Sequence, residues 1–451
     1  MRVYYKNRIQ KFTDLLIKAN ATLERQIEAN HSVEVYQELL TDMQSTAIEI
    51  GGLIEKYQAN GQDVVKLLED SCELIWMESQ KTTKDKIGIQ KAMNQKFREI
   101  KAAISTFEDE YEIVYLPYKA SMWDSLESVW KASCEDKRCN SVVIPIPYYD
   151  KNPDGSIKEE HYEGDLYPDY VPITDYKSYD FEGKHPDVIY VHNPYDDYNF
   201  ITSVHPFFYS RNIKKYTDKL VYIPYFILRD INLKYKFDRN EINIYCKTPV
   251  ILNANYAIVQ SKEMQKCYKK VIRKWLGNDK YIKLNFEKKI LGTGSPKIDK
   301  IEDSIDQNFC VPCEWEEILY TKEHRKKVTF LYNTSIGSFL KSSEDMLIKI
   351  ENVLNTFYNS RNEIALWWRS HPLMMATINS MRPELKKKYE RLVKDYKEGK
   401  WGIYDESTEL ERAIHMTDAY YGDYSSLIQL YKKTGKPILI QQNDFNMKKQ
   451  V

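Results

Sequence analysis

The sequence predicts an α/β protein in which two successive α/β halves follow an N-terminal helical hairpin or bundle. Three observations carry that expectation. From Arg8 to about Lys101 there is no proline, and apolar residues recur at helical spacing. From Tyr111 onward, short apolar strands alternate with amphipathic helices, the pattern of a parallel sheet. With 451 residues the chain is too long for one ordinary core, so two or three domains are expected.

The first region, 1–105, carries two apolar stripes. Leu39, Leu40, Met43, Ala47, Ile50 and Ile54 form one; Val64, Leu67, Leu68, Ser71, Cys72 and Ile75 form the other. Asn60-Gly61-Gln62-Asp63 reads as the turn between them, with Asp63 as N-cap. Such stripes bury themselves against each other or against a second copy of the chain, as in a coiled coil. A homo-oligomer through these helices is therefore one expectation.

The first α/β half, 110–311, opens with the strand Glu112-Ile-Val-Tyr-Leu-Pro117, a helix over Ser121–Ala132, and the strand Ser141–Ile146. Tyr148 to about Phe181 is polar and tyrosine-rich and reads as a long loop with a turn at Asn152-Pro-Asp-Gly155. The sheet resumes at Asp187–Val191 and delivers His192 at a strand exit, where open α/β sheets bind ligands. Strands at Lys219–Pro224 and Asn255–Gln260, a helix from Lys262 to about Leu276 and another strand ending at Ile290-Leu-Gly-Thr-Gly-Ser-Pro-Lys-Ile-Asp299 complete it.

Pro312–Lys327 reads as the passage between halves. The second half, 326–451, begins with Lys327-Val-Thr-Phe-Leu-Tyr332 and continues through a helix at Ser343–Tyr358 and the strand Glu363–Trp368. A charged helix over Arg382–Lys397, a strand at Gly402–Tyr404, a short helix over Thr408–Met416 and strands at Ala419–Tyr421 and Pro437–Ile440 follow. Three strand ends present polar groups on one rim: Asn333-Thr334, Arg369-Ser370-His371, and Asp423 to Ser426. Together they supply a guanidinium, an imidazole, hydroxyls and a helix N-terminus, the set that a diphosphate requires.

Lys+Arg and Asp+Glu number 66 each, so nothing in the net charge favours a nucleic-acid partner. No apolar run reaches membrane-spanning length, and the first residues lack the apolar core of a signal peptide. Seven cysteines fit reduced thiols better than a disulfide set, and a cytoplasmic protein is expected. Cys310-Val-Pro-Cys313 has metal-binding spacing, yet no second Cys or His pair lies nearby.

Gly294-Ser-Pro-Lys-Ile-Asp299, Phe330-Leu-Tyr-Asn-Thr334, Arg369-Ser-His-Pro372 and Gly422-Asp-Tyr-Ser-Ser426 with Gly435-Lys-Pro437, in that order, resemble the CDP-glycerol glycerophosphotransferase family of teichoic acid synthesis. The resemblance runs from about Tyr111 to the C-terminus. It implies a GT-B fold, two Rossmann-like domains facing a cleft, and transfer of glycerol phosphate from CDP-glycerol to an acceptor hydroxyl of a polymer or lipid-linked chain. It also implies no cofactor, no metal in the donor site, and work at the inner face of the membrane. Carried over, Lys297 replaces a donor-contacting arginine, and Asn333 and Thr334 replace a Pro-Thr pair at the nucleotide. Arg369 and His371 match a basic-plus-His motif at the phosphates; Asp423, Ser425 and Ser426 match the loop that holds the diphosphate.

The family's Trp-His-Gly motif, whose histidine is the expected base, aligns with Ile223-Pro224-Tyr225, and an aspartate that contacts the donor is replaced by Leu430. Candidate catalytic residues are therefore His192 and His205, with His371 at the leaving phosphate and Asp196 and Asp197 as further bases. Two alternatives stand beside this reading: a different nucleotide-activated sugar or polyol as donor, or a non-catalytic nucleotide-binding scaffold. A GT-B second domain is also expected to continue with closing helices beyond the strand that precedes Val451.

Overall fold

A computed structural model describes residues 1–28, 33–80, 86–305, 307–407 and 409–441. The chain divides into two compact units. One comprises Met1–Glu112 with the short pieces Asp136–Asn140 and His185–Asp187; the other holds both sheets, Ile113–Glu135, Ser141–Lys184 and Val188–Val451.

The first unit is a four-helix bundle: Val3–Glu28, Val33–Tyr57, Gln62–Gln80 and Lys86–Ser105. Each helix packs on the next and the first on the last. The stripes close on each other, with Leu40, Met43, Ala47, Ile50 and Ile54 meeting Val64, Leu68 and Ile75 in one core. Burial of that core is the main force holding the bundle. Leu39, Leu67 and Cys72 flank it, half-buried. Among the described residues no helix is long and apolar enough to cross a membrane.

In the second unit the first sheet contains β1 (Tyr111–Leu116), β2 (Cys139–Val143), β5 (Val188–Val191), β7 (Lys219–Tyr222), β8 (Tyr256–Ile258) and β9 (Ile290–Leu291), in the order β2-β1-β5-β7-β8-β9. The pairings from β1 through β9 are parallel. The second sheet contains β10 (Val328–Thr334), β11 (Ile364–Ser370), β12 (Ile403–Tyr404), β13 (Ala419–Gly422) and β14 (Ile438–Ile440), in the order β12-β11-β10-β13-β14, all parallel. Both orders are doubly wound, and each reverses direction at one crevice: between β1 and β5 in the first, between β10 and β13 in the second. These are two Rossmann-like halves, the GT-B arrangement.

The polar stretch after Tyr148 is not a loop throughout. β3 (Tyr148–Lys151) and β4 (Ile157–His161) form a hairpin that pairs with β6 (Thr202–Val204) in a small antiparallel sheet. Its strands alternate no apolar residues, so periodicity could not reveal them; the turn at Asn152–Gly155 was the visible half of the signal. The interdomain passage also contains a helix, Cys313–Leu319, whose Ile318 and Leu319 join the second core. The helix expected from Ser343 starts earlier, at Ile336, and runs to Asn359 with a break at Ser343 (φ 43°, ψ −109°). The helix expected over Thr408–Met416 is found at Leu410–Met416, and Thr408 lies outside the described residues.

Helix Pro296–Asp303 packs on both halves. Asp299 accepts from the Ser128 hydroxyl at 2.8 Å. Lys300 lies between Glu127 (2.8 Å) of the first half and Glu411 (3.1 Å) of the second. His415 contacts the Ile301 carbonyl at 3.0 Å.

Candidate active site at the two sheet crevices

Parallel register aligns the second rim. Asn333 of β10 is paired with Arg369 of β11 on one side and with Gly422 of β13 on the other, and Thr334 is paired with Ser370. The three polar strand ends are thus brought together. Close packing is built in: a Cβ on Gly422 would lie 2.3 Å from the Asn333 carbonyl oxygen, and the φ of +143° is itself one that side chains avoid. Asp423 donates its N–H to that carbonyl at 3.1 Å.

The loop is held from below by Tyr420. Its hydroxyl donates to the Asp423 carbonyl at 2.5 Å and lies 3.3 Å from both Asn333 Oδ1 and Ser425 Oγ. Asn333 Nδ2 donates to the Arg369 carbonyl at 3.1 Å, and Thr334 Oγ1 accepts from the Trp368 indole at 3.2 Å. Both are buried. They shape the crevice floor rather than projecting from it.

Asp423 is almost wholly buried and both carboxylate oxygens are taken. Oδ1 accepts from Lys349 Nζ at 2.6 Å and Oδ2 from the Ser335 N–H at 2.7 Å. Expected to touch the donor, it instead ties the loops after β10 and β13 together. Arg369 is likewise committed. It donates to Asp405 Oδ2 at 2.6 Å and to the Ser407 carbonyl, and Asp405 also accepts from the Trp367 indole at 3.0 Å. Burial works to raise the Asp405 carboxyl, but Arg369 and the Ser407 donors hold it below its ordinary value.

Ser425 is half-buried and Ser426 exposed. Ser426 takes the N-cap position of helix Leu427–Tyr431 with helical angles (φ −59°, ψ −27°), and its hydroxyl makes no capping bond. The Ser426 hydroxyl therefore stays available at the rim, and the Ser425 hydroxyl, 3.3 Å from that of Tyr420, keeps capacity for one further bond. The helix behind them is one turn and a half, so its dipole adds little, and the loop must act through hydroxyl and N–H donors.

His371 is half-buried and its Nδ1 accepts from the Leu373 N–H at 3.0 Å, which leaves the ring proton on Nε2. Burial, then the charges of Lys297 and Lys119, push its pKa down to about 4. The ring is a neutral donor beside two cations. Both lysines come from the first half, so the two crevices share one positive field.

Lys297 pairs with Asp124, which lies in the turn Ala120–Ser125 after β1. Lys119, three residues past β1, was not evident in the sequence because a lone lysine after a strand carries no pattern. It is buried, with Nζ 2.8 Å from the Tyr148 hydroxyl and 3.7 Å from Glu163. Burial lowers its pKa; Glu163 and Asp150 oppose that shift.

His192 has no exposed surface. Nε2 accepts from the Tyr118 N–H at 3.0 Å and Nδ1 lies 2.9 Å from Ser125 Oγ. Burial and then Lys297 push it down to about 3. It stands 5.8 Å, ring to ring, from Tyr225. In this geometry it clamps the turn that carries Lys119 and Asp124, with neither nitrogen open to a hydroxyl.

His205 is elsewhere. Its Nδ1 accepts from the Phe207 N–H at 3.2 Å, and it lines an aromatic cavity of about 370 Å³ with Phe181, Phe207 and Tyr216. Asp196 caps Ser210 through both carboxylate oxygens (2.9 and 2.7 Å), and Asp197 lies 3.5 Å from Arg211. Leu430 is buried in the second core.

Residues 245–450 match the model of the CDP-glycerol:poly(glycerophosphate) glycerophosphotransferase family. Over that span, somewhat less than half of the chain, the sequence is similar to this family. The span holds Lys297, His371 and the Gly422–Ser426 loop, so the glycerophosphotransferase match covers the whole second crevice and the helix that reaches into the first. No curated protein matches the chain in sequence. Among solved structures, similar chains include the UDP-GlcNAc 2-epimerase from Neisseria meningitidis bound to UDP-GlcNAc, at 11% identity and TM-score 0.41 over 74% of this chain and 83% of that one. They also include MnaA of S. aureus with UDP, at 11% and 0.42 over 74% and 79%, and the wall teichoic acid polymerase TagF, at 12% and 0.36 over 84% and 80%. Likenesses at this level transfer no function.

Proposed function

We propose that this protein moves glycerol phosphate from CDP-glycerol to an acceptor hydroxyl of a polymer or lipid-linked chain. The observation that carries the reading is the register of β11, β10 and β13, which sets Asn333, Arg369 and Gly422 side by side at the crevice of a family-matched sheet. In this reading Ser425 and Ser426 hold the diphosphate through hydroxyl and N–H donors, His371 donates from Nε2, and Lys297 and Lys119 supply positive charge. Arg369 and Asp423 position the loops.

The acceptor oxygen attacks the β-phosphorus, the bond to the bridging oxygen breaks, CMP departs, and the hydroxyl proton passes to solvent or to a phosphate oxygen. Phosphoryl transfer through a loose transition state depends chiefly on positioning and on neutralising charge. Two lysines, His371 as a neutral donor and His192 with both nitrogens already engaged suit that division of labour. His192 acts in this scheme as a positioning residue for the Tyr118–Ser125 turn.

The experiment is a coupled assay for CMP release from CDP-glycerol with and without a short poly(glycerol phosphate) primer, with primer extension followed by mass. Primer-dependent CMP with extension by glycerol phosphate units supports the reading. No turnover with CDP-glycerol, alongside turnover of another nucleotide-linked donor, would move the assignment to that donor. The same reading places the protein in the cytoplasm at the inner membrane face, with the N-terminal bundle as the surface for a second copy; sedimentation with and without residues 1–105 tests the latter.

A further inference from the structure

The small antiparallel sheet carries a group of side chains that the transfer reaction does not use. Asp150 of β3 lies directly opposite Glu159 of β4, and Tyr148 directly opposite His161. Residues two apart on a strand share a face, so Asp150, Glu159 and His161 project from one side of the hairpin. One carboxylate oxygen from each acid and one ring nitrogen of the histidine all lie within 4.8 Å of one another.

Two features point to a ligand. Like charges directly opposite on a ladder destabilise it, so the Asp150–Glu159 pair calls for a cation between the strands. His161 Nε2 is 3.1 Å from Asp150 Oδ2, yet it forms no hydrogen bond and is sealed from solvent. Its ring is fixed by stacking on Tyr148, centroids 5.0 Å apart. The nitrogen is thus held beside the Asp150 carboxylate without a well-formed hydrogen bond to it. Asp150 and His161 keep 20% and 29% of their side-chain surface exposed, which leaves room for water ligands.

We propose that Asp150, Glu159 and His161 bind one first-row divalent transition-metal ion. One imidazole nitrogen and two carboxylate oxygens suit Mn²⁺ or Zn²⁺; an all-oxygen set would suit Mg²⁺ or Ca²⁺. The ion neutralises the facing carboxylates, bridges the two strands and holds His161 against Tyr148. Tyr148 in turn contacts Lys119 (2.8 Å) and donates to Glu163 (2.6 Å). The site is structural and lies one side-chain layer behind the crevice cation.

Mn²⁺ is the first probe because seven cysteines compete for Zn²⁺. Chelator-stripped full-length protein is titrated with MnCl₂ by calorimetry, and the bound ion is read by pulsed EPR for coupling to an imidazole nitrogen. The expected result is one Mn²⁺ per chain with nitrogen coupling. Glu159→Gln and His161→Ala should each weaken binding by about tenfold or more, and His161→Ala should abolish the coupling. Glu159 is exposed, so Glu159→Gln keeps its fold and decides the matter alone if His161→Ala does not fold. Absence of stoichiometric Mn²⁺ and Zn²⁺ binding up to millimolar ion, or binding that Glu159→Gln leaves unchanged, overturns the proposal.

Discussion

Lys349 Nζ sits 2.6 Å from Asp423 Oδ1, and the two side chains are 7% and 1% exposed. A carboxylate held this way serves the architecture of the phosphate loop, because the Ser335 N–H occupies its other oxygen. Removing one partner of a buried ion pair leaves the other charge stranded, at a cost of about 3–5 kcal/mol. Asp423→Ala should therefore lower the unfolding free energy in urea by about 3 kcal/mol, and adding Lys349→Met should restore part of it. A variant as stable as the parent would contradict the structural role.

Gly422→Ala should be costly for a different reason. The new Cβ would meet the Asn333 carbonyl at 2.3 Å and the Asn333 nitrogen at 2.9 Å, and backbone cannot yield as a flexible side chain can. We expect a loss of about 2 kcal/mol or more, together with loss of CDP binding, because relief requires parting β10 from β13. Gly337→Ala, where nothing lies within 4 Å of the added carbon, is the control and should leave stability nearly unchanged. Thermal unfolding of the pair reads both.

His371 is a neutral donor in this account, held near pKa 4. His371→Ala should weaken CDP about tenfold at pH 7, equivalent to about 1.4 kcal/mol, whereas His371→Gln, which keeps an N–H donor, should lose less. Equal losses in calorimetry would contradict the donor role.

His192 makes stability depend on pH. Its folded pKa is about 3 against an ordinary 6.5, so the unfolded chain takes up a proton below about pH 6.5 that the folded chain refuses. Its contribution is complete above pH 6.5 and declines as the pH falls from there towards 3. At pH 5 the loss from this ring is about 2 kcal/mol, and His371 adds to it in the same direction. Urea unfolding at pH 7 and pH 5 should show the drop, and His192→Gln should remove about one proton from the slope. A parent protein equally stable at both values would contradict the buried neutral imidazole.

The second crevice was legible because its residues sit where apolar strand runs stop: Asn333, Arg369, His371 and the Gly422–Ser426 loop each follow such a run. What those residues bond to was not legible. Asp423 finds Lys349 at 74 residues' separation, and Arg369 finds Asp405 at 36; no local pattern records either pairing, so both side chains read as ligand contacts. The first crevice was harder still. Lys119 is one lysine among many until Tyr148 and Glu163 enclose it, and His192 looked open because its partners, the Tyr118 N–H and Ser125, belong to a different strand exit. The β3–β4 hairpin escaped because its strands are polar on both faces.

Calorimetric titration of CDP into the protein and into the Ser425→Ala/Ser426→Ala double variant tests the central claim most directly, since neither hydroxyl supports the helix it precedes. The account predicts one CDP per chain for the parent, binding at least about tenfold weaker in the double variant, and a thermal stability without ligand lowered only by the loss of the 3.3 Å Ser425–Tyr420 contact. No binding at millimolar CDP, or the same affinity in both proteins, would contradict it.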